Sequence, residues 1–158
     1  MPAQMISCLP KGICSWDFWL DMEGGKVSLV FNLMGEQGAL TIEGETYLVR
    51  KHGMGSGHWS LELDGQEVAS AQKVSMLSRK IEMSTPMGEL VLSPESALGR
   101  CFKLFCEEQL LAKIEPMHPF TRRSTIQLDA ADYDSPTLAF AFWLVLMSWR
   151  RAQQRSSS

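Results

Sequence analysis

The chain has 158 residues, 45% hydrophobic and 21% charged, with a net charge of −3. It is long enough to bury roughly two-thirds of its unfolded surface as a single domain over 1–158, and too apolar to be disordered. The acidic balance excludes a global field that would gather nucleic acid or anionic lipid, so no nucleic-acid partner is expected and any anion site has to be local.

The opening stretch, MPAQMISCLPKGICSW, has no basic segment followed by a sustained apolar run, so no secretory signal is predicted. Strands are expected from about residue 13. Trp16, Phe18, Leu20 and Met22 alternate with Ser15, Asp17, Trp19 and Asp21, the period of a half-buried strand. After Glu23-Gly24-Gly25 the alternation resumes in Val27, Leu29, Phe31 and Leu33, which predicts a hairpin. Gly35 and Gly38 interrupt it, and Leu40 and Ile42 take it up again. The middle has the same grammar. Residues 45–52 and 58–63 flank the loop Gly53-Met54-Gly55-Ser56-Gly57, and Asp64-Gly65 is a short-hairpin signal leading into 67–73. Further strands are expected over 79–83, 89–92, 101–106, 110–115 and 124–128, about eleven in all, spaced as in a sandwich or barrel.

The C-terminus breaks the pattern. Ser135 and Pro136 form an N-cap and a first-turn proline, predicting a helix over about 136–152 followed by a frayed tail, 153–158. From Thr137 to Ser148 the polar side chains stand only at the two ends, so the helix is apolar on every face and must be surrounded. Leu138–Trp149 would reach only about 18 Å, against roughly 30 Å of hydrocarbon, so no transmembrane span is expected. A closed barrel of many strands has a lumen too wide for its own side chains, and an all-apolar helix fills it. The expectation is a mainly β fold, a closed antiparallel β-barrel around a hydrophobic C-terminal helix.

In this order of elements the chain resembles a minimal, bacterial-type member of the tubby C-terminal-like superfamily, which includes the tubby proteins, the phospholipid scramblases and the LURP-one-related proteins. The segments that carry the resemblance are Tyr47-Leu48-Val49-Arg50-Lys51, the pair Trp59–Leu63 and Glu67–Ala71, and the late strand Cys101–Phe105. They continue in Ala112-Lys113-Ile114, Phe120-Thr121-Arg122-Arg123 and the terminal helix from Pro136 to Arg151. The resemblance implies a barrel of about 12 strands around the helix. It also implies membrane association, since tubby proteins bind phosphoinositides through basic residues on the barrel wall. The cysteine-rich acylation segment and proline-rich arm of the scramblases are not found here.

Candidate sites are few. Arg50-Lys51-His52, Arg79-Lys80 and Arg122-Arg123 lie at strand ends. If Arg50, Lys51, Arg79, Arg122 and Arg123 converge they could hold a phosphate-bearing lipid headgroup; otherwise they are solvated strand ends that discourage edge pairing. The acidic segment Asp129–Asp134 corresponds to one proposed to bind calcium in scramblases; the alternative is that Asp132 and Asp134 face the positive end of the helix. His52 and His58 could face each other across a hairpin, with no third metal ligand in sight. The loop 53–57 lacks the Gly-Lys-Ser/Thr and following helix of a phosphate loop. Cys8, Cys14, Cys101 and Cys106 have no metal or redox spacing and are expected as free thiols in a reducing cytoplasm. No metal, cofactor or catalytic residue is predicted. The expected function is a non-catalytic binding module, cytoplasmic and peripheral to membrane, for a lipid headgroup or a protein partner. The alternative is a small-ligand carrier whose helix packs outside an open lumen.

Overall fold

A computed structural model describes residues 4–32, 35–53, 57–130 and 132–156. Leu33, the loop centre Met54-Gly55-Ser56 and Ala131 of the acidic segment lie outside the described residues. Twelve strands and one helix follow in order. The first six strands are β1 (Gln4–Pro10), β2 (Phe18–Met22), β3 (Gly25–Phe31), β4 (Gly38–Ile42), β5 (Glu45–Lys51) and β6 (His58–Leu63). The other six are β7 (Gln66–Lys73), β8 (Ile81–Thr85), β9 (Gly88–Pro94), β10 (Phe102–Cys106), β11 (Gln109–Pro116) and β12 (Ser124–Leu128); the helix is α1 (Ser135–Ser156). Each strand pairs antiparallel with the one before it, and β12 returns to β1 with Gln4 opposite Leu128 and Cys8 opposite Ser124, closing the barrel.

Strand alternation points the apolar set inward. In β2, Phe18, Leu20 and Met22 are buried while Trp19 and Asp21 face out. The lumen these side chains line is filled by α1, whose residues from Thr137 to Trp149 are all buried. A helix buried on every face inside a closed barrel runs through its lumen, so the open cavity of a carrier barrel is absent and the outside-helix alternative does not describe this fold. Contacts fix its rotation. Phe31 stacks on Trp143 with centroids 4.5 Å apart, and Phe18 meets Phe142 edge-on at 5.3 Å. Close approach requires Gly38 in β4: a Cβ there would lie 1.9 Å from the Val30 carbonyl oxygen and 2.9 Å from Trp143 Nε1.

The structure corrects several expected boundaries. β1 lies ahead of the expected first strand at residue 13, because Met5 and Leu9 are apolar on its outer face and hide the alternation of buried Ile6 and Cys8. β8 starts at Ile81 rather than Arg79, leaving Arg79 and Lys80 in the preceding connection. Asp134, not Ser135, caps the helix: its Oδ2 accepts from the Thr137 amide (3.2 Å) and hydroxyl (2.6 Å). The helix continues to Ser156, through most of the expected frayed tail.

Antiparallel order sorts the connections. One rim carries two-residue turns at 23–24, 43–44, 64–65, 86–87 and 107–108, together with the entry to α1, 129–134. At Glu43-Gly44 and Asp64-Gly65 both central residues have positive φ (50° and 83°, 52° and 80°), the geometry that matches hairpin twist. The opposite rim carries six connections of six or seven residues, 11–17, 32–37, 52–57, 74–80, 95–101 and 117–123, and receives the C-terminal end of α1.

Replacing Phe142 or Leu144 by Asp should abolish the cooperative melt, because an unpaired charge in a fully desolvated position costs several kcal/mol. Gly38→Ala should lower stability by about 1–3 kcal/mol through overpacking. A native melting temperature in both Asp variants would contradict a helix-filled lumen.

Candidate functional site

Charge follows the two rims. All of the 15 lysines and arginines except Lys26 and Lys113 stand in the long connections, within two residues of them, or on the last turns of α1. The two-residue turns and the segment 129–134 hold Glu23, Glu43, Asp64, Glu107, Glu108, Asp129, Asp132 and Asp134 and no cation. The net charge of −3 therefore conceals a basic rim and an acidic one.

On the basic rim three arginines form a chain. Arg79, Arg100 and Arg122 each stand two residues before a strand, β8, β10 and β12. Each donates to backbone carbonyls of the neighbouring long connection. Arg79 reaches Gly99 O (2.8 Å) and Ser96 O (2.6 Å). Arg100 reaches Thr121 O (2.7 Å), Pro119 O (2.6 Å) and His118 O (3.3 Å). Arg122 reaches Ile13 O. An aromatic ring lies beneath each guanidinium: Phe102 under Arg79 at 5.3 Å, Trp149 under Arg100 at 5.6 Å and Trp16 under Arg122 at 4.9 Å. Between the three opens a cleft of about 300 Å³ that also touches Leu98, Gln153 and Ser156, and among the described residues no carboxylate lines it. Burial, and for Arg79 also the nearby charge of Arg155, pulls the Arg79 and Arg100 guanidiniums below their ordinary value, yet arginine stays protonated at physiological pH. The site thus concentrates positive charge that carbonyl dipoles orient without neutralising.

Elsewhere on the rim Glu36 compensates two of the cations. Glu36 accepts from Lys51 Nζ (2.7 Å) and from the Arg151 guanidinium, while its carbonyl accepts from Trp59 Nε1 (3.1 Å). Burial alone would raise the Glu36 carboxyl; hydrogen bonds and charge from Arg151 and Lys51 outweigh it and hold the group below the usual glutamate value. Asp17 accepts from the Phe31 amide (2.9 Å) and Glu95 faces Lys113 at 3.8 Å.

The expected basic residues therefore separate. Arg79 and Arg122 meet in the cleft. Arg50 lies on the outer wall beside Glu62 (3.5 Å), Lys51 is held by Glu36, and Arg123 is exposed on the rim without lining the cleft. Arg100, which completes the site, is a single cation and is passed over when paired cations are sought; the signal that marks it is recurrence two residues ahead of alternate strands. His52 and His58 do face each other, with ring centroids 4.8 Å apart. The Ser60 hydroxyl donates to Glu62 Oε2 (3.1 Å) and lies 2.7 Å from His52 Nε2, so serine stands between histidine and carboxylate rather than histidine between the other two. Burial raises the Cys8 and Cys101 thiols, the opposite of activation, and the Glu115 charge adds to the effect at Cys101. Among the described residues no group of three or more His, Cys, Asp or Glu could hold a metal ion.

Glu36→Gln should cost roughly 1–3 kcal/mol at neutral pH by removing the acceptor of two cations. A carboxyl held below its unfolded value contributes fully above that value and loses the contribution as pH falls through the folded one. The gap between wild type and variant should accordingly close in acid, measured as melting temperature against pH; a gap independent of pH would contradict the ionised Glu36 hub.

Compared with protein-family models, with curated proteins and with solved structures, the chain matches none.

Proposed function

We propose that this chain is a non-catalytic binding module that takes a phosphate-bearing lipid headgroup in the cleft between Arg79, Arg100 and Arg122. The observation that carries the reading is the meeting of three guanidiniums in a cleft that no carboxylate among the described residues lines. Guanidinium forks match phosphate oxygens. Carbonyl bonds and aromatic stacking hold the three in place beforehand, so little side-chain freedom is left to lose on binding. A guanidinium has five N–H donors, and the carbonyl contacts leave some on each arginine for a ligand.

The filled lumen supports a binding role on the outside of the barrel, and the resemblance to the tubby-like superfamily favours a lipid. The manner is docking rather than spanning. No helix among the described residues is long and apolar enough to cross a membrane. The barrel is also apolar within and polar without, as at Glu67, Glu82, Lys103 and Gln127, the reverse of a membrane-spanning barrel with its apolar outer band.

Titration with short-chain, water-soluble phosphatidic acid should show salt-sensitive binding, and short-chain phosphatidylcholine should show none. Arg79→Gln and Arg122→Gln should each weaken binding about tenfold or more, with Arg123→Gln close to wild type. Equal affinity for the two lipids, or no loss in the cleft variants, would end the headgroup reading.

A further inference from the structure

The basic rim also carries the large exposed apolar side chains of the loops. Ile13 is 96% exposed, Leu77 100%, Leu98 95% and Phe120 95%, and Met76 stands beside Leu77 at 87%. They occupy the connections 11–17, 74–80, 95–101 and 117–123. In the barrel order β1-β12-β11-β10-β9-β8-β7 those four connections are consecutive around the rim. The same four are tied one to the next by Arg79, Arg100 and Arg122. One stapled arc thus presents apolar tips in front of an arginine cleft, with Lys80 and Arg123 exposed among them.

We propose that this arc inserts shallowly into an anionic bilayer, the four tips entering the boundary between headgroups and acyl chains while the cations meet lipid phosphates. The inference rests on the reading of the rim as an anion-binding face and adds a second, apolar mode of attachment to it. Charge complementarity selects the partner and its orientation. Basic residues near an anionic leaflet each gain about 1 kcal/mol, whereas the opposite rim, with Glu23, Glu43, Asp64, Glu107 and Glu108, is repelled. The barrel therefore stands on its basic rim with α1 directed at the membrane.

The spacing of the tips favours a bilayer over a protein. A stable protein interface closes over a contiguous, well-packed centre depleted of charge. Here single apolar side chains end four separate loops with cations between them, an arrangement a fluid headgroup layer accommodates and a fixed surface does not. The carbonyl staples tie the four connections to one another, so their joint insertion costs little ordering.

The test uses the full chain with phosphatidylcholine vesicles, with and without phosphatidylserine. Wild type should partition onto the phosphatidylserine vesicles. Leu77→Asp and Phe120→Asp should each weaken partitioning about tenfold or more. Both should melt like wild type and bind soluble phosphatidic acid unchanged, because neither residue lines the cleft. Phe120→Trp should show a blue shift and quenching by lipids brominated high in the acyl chain, while Leu48→Trp on the β5 wall should show neither. Unchanged partitioning of the Asp variants, a Phe120 probe no more quenched than the Leu48 probe, or no partitioning onto either vesicle would overturn the proposal. Partitioning and quenching without any binding of soluble phosphatidic acid would uphold insertion and remove the headgroup cleft instead.

Discussion

The structure depends on one requirement: the lumen of a twelve-stranded barrel has to be filled. Inward side chains of so wide a barrel cannot meet across its axis. The object among the described residues that fits is a helix without a polar face, and such a helix has no stable place except inside protein or lipid. Barrel and helix are therefore folding partners, and the tolerances between them are small. Gly38 lets β4 approach α1, and Trp143, stacked on Phe31, keeps its indole N–H buried with no acceptor among the described residues. An unsatisfied donor of that kind costs about 1–3 kcal/mol, which the surrounding burial outweighs.

A lumen that admits no charge sends every lysine, arginine, aspartate and glutamate to the wall or the rims, and the direction of α1 decides which sign goes where. The N-terminus of the helix enters at the rim of short turns, where Asp134 caps it and Asp132 stands nearby in sequence. Its C-terminal turns emerge among the long connections, carrying Arg150, Arg151 and Arg155. Both placements complement the helix dipole. The short turns add acidic residues, three of them, Glu43, Asp64 and Glu107, at positive φ, to the same rim that the positive helix end favours. Polarity along the barrel axis thus has a local cause at each end.

Much of this architecture is legible in the chain. Period-two alternation marks most strands, Asp64-Gly65 marks its turn, and the apolar run 138–147 marks a surrounded helix. Legibility fails where a residue's neighbours lie far away in sequence. β1 looks irregular because Met5 and Leu9 are apolar on the outside, and its pairing with β12 and β2 shows it to be a strand. Arg50 and Lys51 look like Arg79 and Arg122 in the sequence, yet Glu62 and Glu36 meet the first pair and carbonyl oxygens meet the second. Which partner a cation finds is set by strand register and by the neighbouring loop. Arg100 is invisible to a search for clusters because its companions stand one hairpin away on either side.

The distinction between those two kinds of partner decides where binding capacity resides. A carboxylate positions a cation and cancels its charge, as Glu36 does for Lys51 and Arg151. A carbonyl oxygen positions it through a dipole and leaves the charge available, and an aromatic face beneath the guanidinium does the same. Along the arc from connection 74–80 to 11–17 the chain uses the second kind at every step. The same bonds that tie the loops together leave their arginines charged, so rigidity and attraction for anions arise from one set of contacts. On the Glu36 side they arise from different contacts and compete. That asymmetry within a single rim sets the cleft between Arg79, Arg100 and Arg122 apart from the Glu36 hub.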